Sequence, residues 1–215
     1  MPVKAIIFDF DGVILDSLDV KTQAFYNMYL PYGEDIAAKA VKYHLEHGGI
    51  SRYEKFRHYH RTFLGREIND KQLEELAEEF SRRVMDGVIA SPEVKGVRDF
   101  LEKYHDRYPM WVVSGTPEGE MRDIVKAVGM DGYFVEVYGS PTKKGFLTRK
   151  ILTENNLQPK ELVFVGDATT DHEAAVENNT HFILREHPDN ISLFEGKNVV
   201  RIRDFTGFAE LIGRL

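Results

Sequence analysis

The chain contains no cysteine, and that absence removes disulfides, thiolate-bound metals and a thiol nucleophile together. It also lacks an excess of positive charge. Its 28 Lys and Arg face 35 Asp and Glu, and the resulting net charge of −7 gives no broad attraction to nucleic acid or to an anionic membrane. Any anionic ligand must be held by a local site. No apolar run approaches the roughly 20 residues that span a bilayer, and no repeat or low-complexity segment is present. The opening MPVKAIIFDF runs straight into strand-like sequence, without the charged leader and cleavage site of a signal peptide. The expectation is a soluble cytoplasmic protein with no nucleic-acid or membrane partner. A length of 215 residues suits one core with an insert.

What is present is a series of short apolar runs. Residues 3–8 form a nearly continuous one that ends at Asp9, the pattern of a strand buried on both faces of a parallel sheet. Similar runs cover 110–113, 162–165 and 181–184, with a weaker one at 133–138. Helical patterns with start signals lie between them: Ser91-Pro92 before 94–104, Thr116-Pro117 before 121–128, and a capping box at Thr170-x-x-Glu173. Alternation of this kind predicts an α/β protein with a doubly wound, Rossmann-like parallel sheet. From residue 18 to 88 the alternation stops. Four helical segments (18–30, 34–47, 51–64 and 69–86) break at Pro31-Tyr32-Gly33, Gly48-Gly49 and Gly65, and Ser51-x-x-Glu54 reads as a capping box. This stretch predicts an inserted all-α cap over 17–88, with a catalytic core formed by 1–16 and 89–215.

In open α/β sheets the chemistry gathers beyond the carboxyl ends of the strands, so the residues closing the apolar runs are the candidates. These are Asp9, Ser114 and Asp167. The first run continues as Asp9-Phe10-Asp11-Gly12, and the two-residue offset lets both carboxylates approach one point. Held close, they repel unless a cation lies between them or one is protonated. Magnesium fits, being hard, oxygen-seeking and content with one or two carboxylates beside waters and a phosphate. Asp167 would supply a further ligand, and Asp171 would orient ligand waters or a nearby lysine. Asp16-Ser17 reads as a turn and helix cap.

Two segments could hold a phosphate. Ser114-Gly115-Thr116-Pro117 joins a strand to a helix, so a hydroxyl and free backbone N–H groups could face an anion, although capping by Thr116 is compatible with the same residues. Lys143-Lys144 opens another helix. Lysines are unfavourable at the positive end of a helix dipole, which suggests a partner for at least one of them; a solvated surface pair is the alternative.

Together these residues resemble the haloacid dehalogenase superfamily of aspartate-nucleophile phosphatases over nearly the whole chain. The matching motifs are Asp9-Phe10-Asp11-Gly12-Val13 with Asp16-Ser17, Ser114-Gly115-Thr116, Lys144 ahead of an apolar helix face, and Gly166-Asp167-x-x-x-Asp171. The resemblance implies that Asp9 attacks phosphorus to give an aspartyl-phosphate and that Asp11 is the acid and base. It implies magnesium held by Asp9, the Asp11 backbone carbonyl and Asp167, and phosphoryl oxygens held by Ser114, Gly115 and Lys144. Superfamily dehalogenases and phosphonatases depart at the second aspartate, so Asp11 favours phosphate chemistry.

The cap resembles that of the phosphoglycolate phosphatase and β-phosphoglucomutase branch. Its Gly48-Gly49-Ile50-Ser51-Arg52 segment is similar to the mutase's specificity loop, so Gly49 and Arg52 become candidate substrate contacts. The mutase's loop lysine falls on Gly48 and its early cap histidine on Lys21, and these departures favour hydrolysis of a small phosphorylated metabolite. A sugar phosphomutase and a silent binding module on the same fold are the alternatives. Lys55, Arg57, His58, His60 and Arg61 read as a solvated helix face.

Overall fold

The computed structural model describes residues 2–215. Six parallel strands form one sheet in the order β3-β2-β1-β4-β5-β6. They are β1 (Ala5–Phe8), β2 (Met110–Pro117), β3 (Glu136–Ser140), β4 (Leu162–Gly166), β5 (His181–Arg185) and β6 (Val200–Ile202). The chain winds from β1 outward to β3, then crosses back to β4 on the other side of β1. That reversal places a crevice at the carboxyl ends of β1 and β4, where ligands of open α/β sheets are held.

The apolar runs are continuous because both faces of the sheet are covered. Ile6, Phe8, Val112, Val163 and Val165 belong to one buried cluster, while Ala5, Ile7, Trp111, Val113 and Phe164 belong to the other. The first face packs on α5 (Val97–Tyr104), α6 (Glu118–Ala127) and α9 (Phe208–Ile212). The second packs on α7 (Lys144–Glu154) and α8 (Thr169–Glu177). Phe8 is fully buried, with the rings of Phe100 and Phe205 at 6.3 and 6.0 Å.

Between β1 and α5 lie α1 (Leu18–Tyr29), α2 (Glu34–Glu46), α3 (Arg52–His58) and α4 (Asp70–Ile89). These helices form the expected cap. Their centre is aromatic: Phe25 of α1 packs 4.4 Å from Phe80 of α4 and 5.8 Å from Phe56 of α3. The expected helix over 51–64 is α for one part and π over Tyr59–Phe63. The wider turn carries both Tyr59 and His60 inward, and the Tyr59 hydroxyl donates to the Ala40 carbonyl at 3.0 Å.

Other sequence expectations are corrected. The weak strand at 133–138 lies later, at Glu136–Ser140, after a 3-10 turn at Asp131–Tyr133. β2 runs on through Ser114-Gly115-Thr116 to Pro117, so this segment is extended backbone rather than a helix cap, and α6 starts after it. α8 starts at Thr169, with the Asp171 carboxylate accepting from Ala168 N–H at 3.0 Å; Thr170 donates instead to the Gly48 carbonyl of the cap at 3.2 Å. Ser17 precedes α1 without a capping bond from its side chain. The edge strand β6 has only three residues, too few for a periodic signal.

Phe8→Ala would leave a cavity beneath the strand that carries the site. The expected loss is about 3–5 kcal/mol of stability, read as a lower denaturation midpoint at unchanged slope in urea titrations.

Candidate active site

Each expected strand-end residue arrives at the crevice by the shortest route. Asp9 follows β1 directly and Asp167 follows β4 directly, and these two strands are paired in register from Ala5–Leu162 to Phe8–Val165. Asp171 reaches the same point from the first turn of α8. One carboxylate oxygen from each of Asp9, Asp167 and Asp171 can be chosen so that all lie within 4.8 Å of one another, and all three residues are buried. Gly12 makes the turn after Asp11 possible: its φ is +75°, and a Cβ there would collide with the Asp167 carboxylate.

Lys144, the first residue of α7, enters from the same face of the sheet as α8. Its Nζ donates to Asp9 Oδ2 at 2.7 Å and to Asp171 Oδ1 at 2.6 Å. Lys143 is exposed. One ammonium thus bonds two of the three carboxylates, and the balance is visible in their protonation. Burial, partly opposed by Lys144 and reinforced by Asp171, pushes Asp9 up to about 7. Burial also raises Asp167, against a 3.1 Å contact from His187 Nε2, and raises Asp171. Burial alone would lower Lys144, but Asp171 and Asp9 outweigh it and raise it.

Asp11 belongs to a different network. Its side chain turns away from the cluster toward the cap, where it accepts from Ser17 Oγ at 2.6 Å, from Thr116 Oγ1 at 3.2 Å and from Lys21 Nζ. Lys21 also donates to Thr116 Oγ1 at 2.8 Å. Burial favours the neutral acid, but the Lys21 charge and these hydrogen bonds prevail and hold Asp11 below the usual carboxylate range. Ser17, expected only to start a helix, is therefore part of the site. Ser114 is buried at the mouth of β2, its Oγ accepting from Thr116 N–H at 3.1 Å.

The cap closes over this crevice. Gly49 rests against Gly115 so closely that a Cβ on Gly115 would meet the Gly49 carbonyl oxygen at 2.5 Å. A cavity of about 70 Å³ lies between cap and core, with Asp9, Asp11, Ser114 and Asp167 on its floor and Lys21, Phe25, His44, Gly49, Arg52, Lys55 and Phe80 on the cap side.

Arg52, expected as the substrate contact, has other partners. Its guanidinium forms a two-pronged bond to Glu120 of α6, at 2.6 and 2.8 Å, and donates to Ser81 of α4 at 2.6 Å. It also lies 4.6 Å from the Phe80 ring centre. Arg52 therefore fastens the cap to the core. Arg57 is exposed as expected, but Lys55 and His60 are buried.

Sequence reasoning missed Lys21, His44, Lys55, Glu120 and His187. A signal existed for three of them. Lys21 shares the buried stripe of α1 with Ala24, Phe25 and Met28; His44 shares that of α2 with Ala37 and Ala40; and Lys55 lies beside Phe56 on α3. A polar residue in phase with an apolar stripe is turned inward, and these stripes lead to the crevice. Glu120 and His187 meet their partners only through the tertiary fold.

The sequence pattern of the Haloacid dehalogenase-like hydrolase family matches residues 6–184. Among curated proteins none matches this chain. Solved structures match over almost its whole length. A predicted phosphoglycolate phosphatase from Haemophilus somnus superposes with a TM-score of 0.75 at 19% identity, covering 97% of both chains. A predicted phosphatase from Clostridium acetobutylicum has a TM-score of 0.71 at 16% identity, covering 100% of this chain and 98% of its own. The proposed HAD-hydrolase YfnB from Bacillus subtilis, solved bound to magnesium, has a TM-score of 0.70 at 14% identity, covering 99% of both. At such identities the likeness establishes a shared fold.

Two outcomes are expected from the geometry. Glu120→Gln leaves the Arg52 charge buried without its counter-ion, which should cost about 3–5 kcal/mol; amides of the cap loop 48–51 should then exchange hydrogen faster, while those of β1 and β4 do not. A divalent cation should bind at this cluster through ionised Asp9 and Asp167, and protons compete for the same oxygens. Because Asp9 sits at about 7, its ionised form is dominant above that pH and is lost below it. The rise in melting temperature on adding excess magnesium, and its reversal by chelator, should therefore be larger at pH 8 than at pH 6. Saturation at about 100 times Kd corresponds to ~2.7 kcal/mol.

Proposed function

Because the chain belongs to the haloacid dehalogenase-like hydrolase family, we propose that it is a magnesium-dependent phosphatase that hydrolyses a small phosphomonoester through a phosphorylated Asp9. The observation that carries this reading is the division of labour between the two aspartates of one turn. Asp9 faces the carboxylate cluster and Lys144, whereas Asp11 faces the cap side, where a leaving group would stand.

The residues fit a divalent cation. Three buried carboxylates against one lysine leave an excess of negative charge in a place where it is costly. An all-oxygen donor set suits magnesium, and YfnB, with the same fold, is bound to magnesium. Asp9 and Asp167 would hold the ion, together with the Asp11 backbone carbonyl that the resemblance implies, and Asp171 would orient its waters while restraining Lys144. Bound there, magnesium neutralises charge that builds on the phosphoryl oxygens.

The chain's own groups account for the proton and bond changes. Ser114, the Gly115 N–H and Lys144 hold the phosphoryl oxygens. An Asp9 oxygen attacks phosphorus in line, the ester P–O bond breaks, and Asp11 gives its proton to the departing alkoxide oxygen. Asp11, now a carboxylate, takes a proton from water as that water attacks phosphorus, which releases orthophosphate and restores Asp9. Lys21, Ser17 and Thr116 favour the ionised Asp11 of this second step. An arriving phosphate dianion favours the protonated form needed for the first. The cap excludes bulk water while the phosphoryl group is in transit.

Purified protein should release phosphate from aryl phosphates and from some members of a phosphorylated-metabolite panel, and chelator should abolish the release. Asp11→Asn should lower turnover about 10²–10⁴-fold, and Asp9→Asn should remove it. Turnover that survives Asp9→Asn, or that ignores magnesium, would sink the reading.

A further inference from the structure

The cations around the cavity can be matched to their anions one by one. Lys144 is bonded to Asp9 and Asp171, Lys21 to Asp11, and Arg52 to Glu120. Lys55 is the exception. It is 3% exposed, it lines the same cavity, and among the described residues no carboxylate pairs with it. Its Nζ instead contacts His44 Nδ1 at 2.8 Å and stands 5.6 Å from the centre of the Phe25 ring.

His44 acts there as an acceptor. Burial and the adjacent Lys55 hold its pKa well below the ordinary histidine value, so the imidazole is neutral and Nδ1 offers a lone pair. It orients the ammonium without cancelling its charge. Burial, with Lys21 next in weight and Asp167 only partly opposing them, pushes Lys55 down to about 7. The surroundings thus oppose, on balance, a positive charge to which no carboxylate of the described residues is bonded, and an ammonium so placed has two N–H donors unspent.

We propose that Lys55, positioned by His44, is the receptor for a second anionic group on the substrate, so that the preferred ester is short and carries a carboxylate at the end away from phosphorus. This rests on the phosphatase reading for the placement of the phosphoryl group on the Asp9 side. The floor of the cavity is acidic and takes the phosphoryl group with its cation; the cap side holds the unmatched ammonium and receives the tail. A cavity of about 70 Å³ suits a carboxylate a few atoms from phosphorus. The same charge rejects neutral tails by omission, because with them Lys55 stays buried and unpaired.

The test compares two non-hydrolysable ligands in the presence of magnesium, phosphonoacetate and ethylphosphonate, which differ in the carboxylate. Calorimetric titration of the wild-type protein should give a Kd ratio of about tenfold to a hundredfold in favour of phosphonoacetate, the range for a hydrogen bond to a charged group. Lys55→Met, similar in length and uncharged, should collapse that ratio toward one, and Lys55→Arg should keep most of it. Thermal melting of each variant reports folding separately. Equal binding of the two ligands by wild type, or an undiminished ratio in Lys55→Met, would overturn the assignment. In turnover, 2-phosphoglycolate should be preferred to ethyl phosphate through KM, with the preference lost in Lys55→Met. Binding that follows Lys55 without turnover of any ester would leave this inference standing and remove the phosphatase reading instead.

Discussion

Three carboxylates and one ammonium, packed at the carboxyl ends of two neighbouring strands and shut away from water, set the terms for the rest of this molecule. Asp9, Asp167 and Asp171 repel one another at close range, and Lys144 offsets only part of that repulsion. Such an arrangement persists because the sheet is built so that it cannot relax. β1 and β4 pair in parallel register, both of their faces are buried, and the helices bearing Lys144 and Asp171 pack on the same side of the sheet. The apolar core stabilises a polar cluster that alone would come apart.

The cap presents the opposite charge. It brings Lys21, Arg52 and Lys55 over the crevice, and the first two are matched by Asp11 and Glu120 of the core. These pairs do more than hold the cap down. Arg52–Glu120 joins α3 to α6 beside the cavity, while Lys21 fixes the protonation state and direction of Asp11. The contacts that seat the cap thus involve the residues that surround Asp11 and the cavity. The aromatic packing of Phe25 against Phe56 and Phe80 makes the cap a firm carrier for these charges.

Much of this was legible in the sequence. The runs ending at Asp9, Ser114 and Asp167 became β1, β2 and β4, because a strand buried on both faces leaves an unbroken apolar signature. The helical insert was legible because four consecutive helical segments with Gly breaks interrupt the strand–helix alternation. The misreadings have a common cause. Ser17 and Thr170 read as local caps, and capping is one of two readings open to Thr116, yet their hydroxyls bond Asp11, receive Lys21, or reach Gly48 across the cap interface. Short polar side chains near helix starts have local and distant partners to choose from, and only the packed fold makes the distant ones available.

The sequence by itself determined the strand ends that carry Asp9, Asp11 and Asp167, the parallel α/β architecture and the presence of a helical cap, since each follows from periodicity and from where the apolar runs stop. The tertiary structure decided how the charges are shared. It assigned Lys144 to Asp9, Lys21 to Asp11 and Arg52 to Glu120, and among the described residues it bonded no carboxylate to Lys55. Pairing depends on distances between residues far apart in the chain, 135 positions for Lys144 and Asp9, and on which side chains burial deprives of water. Neither quantity is written in local sequence.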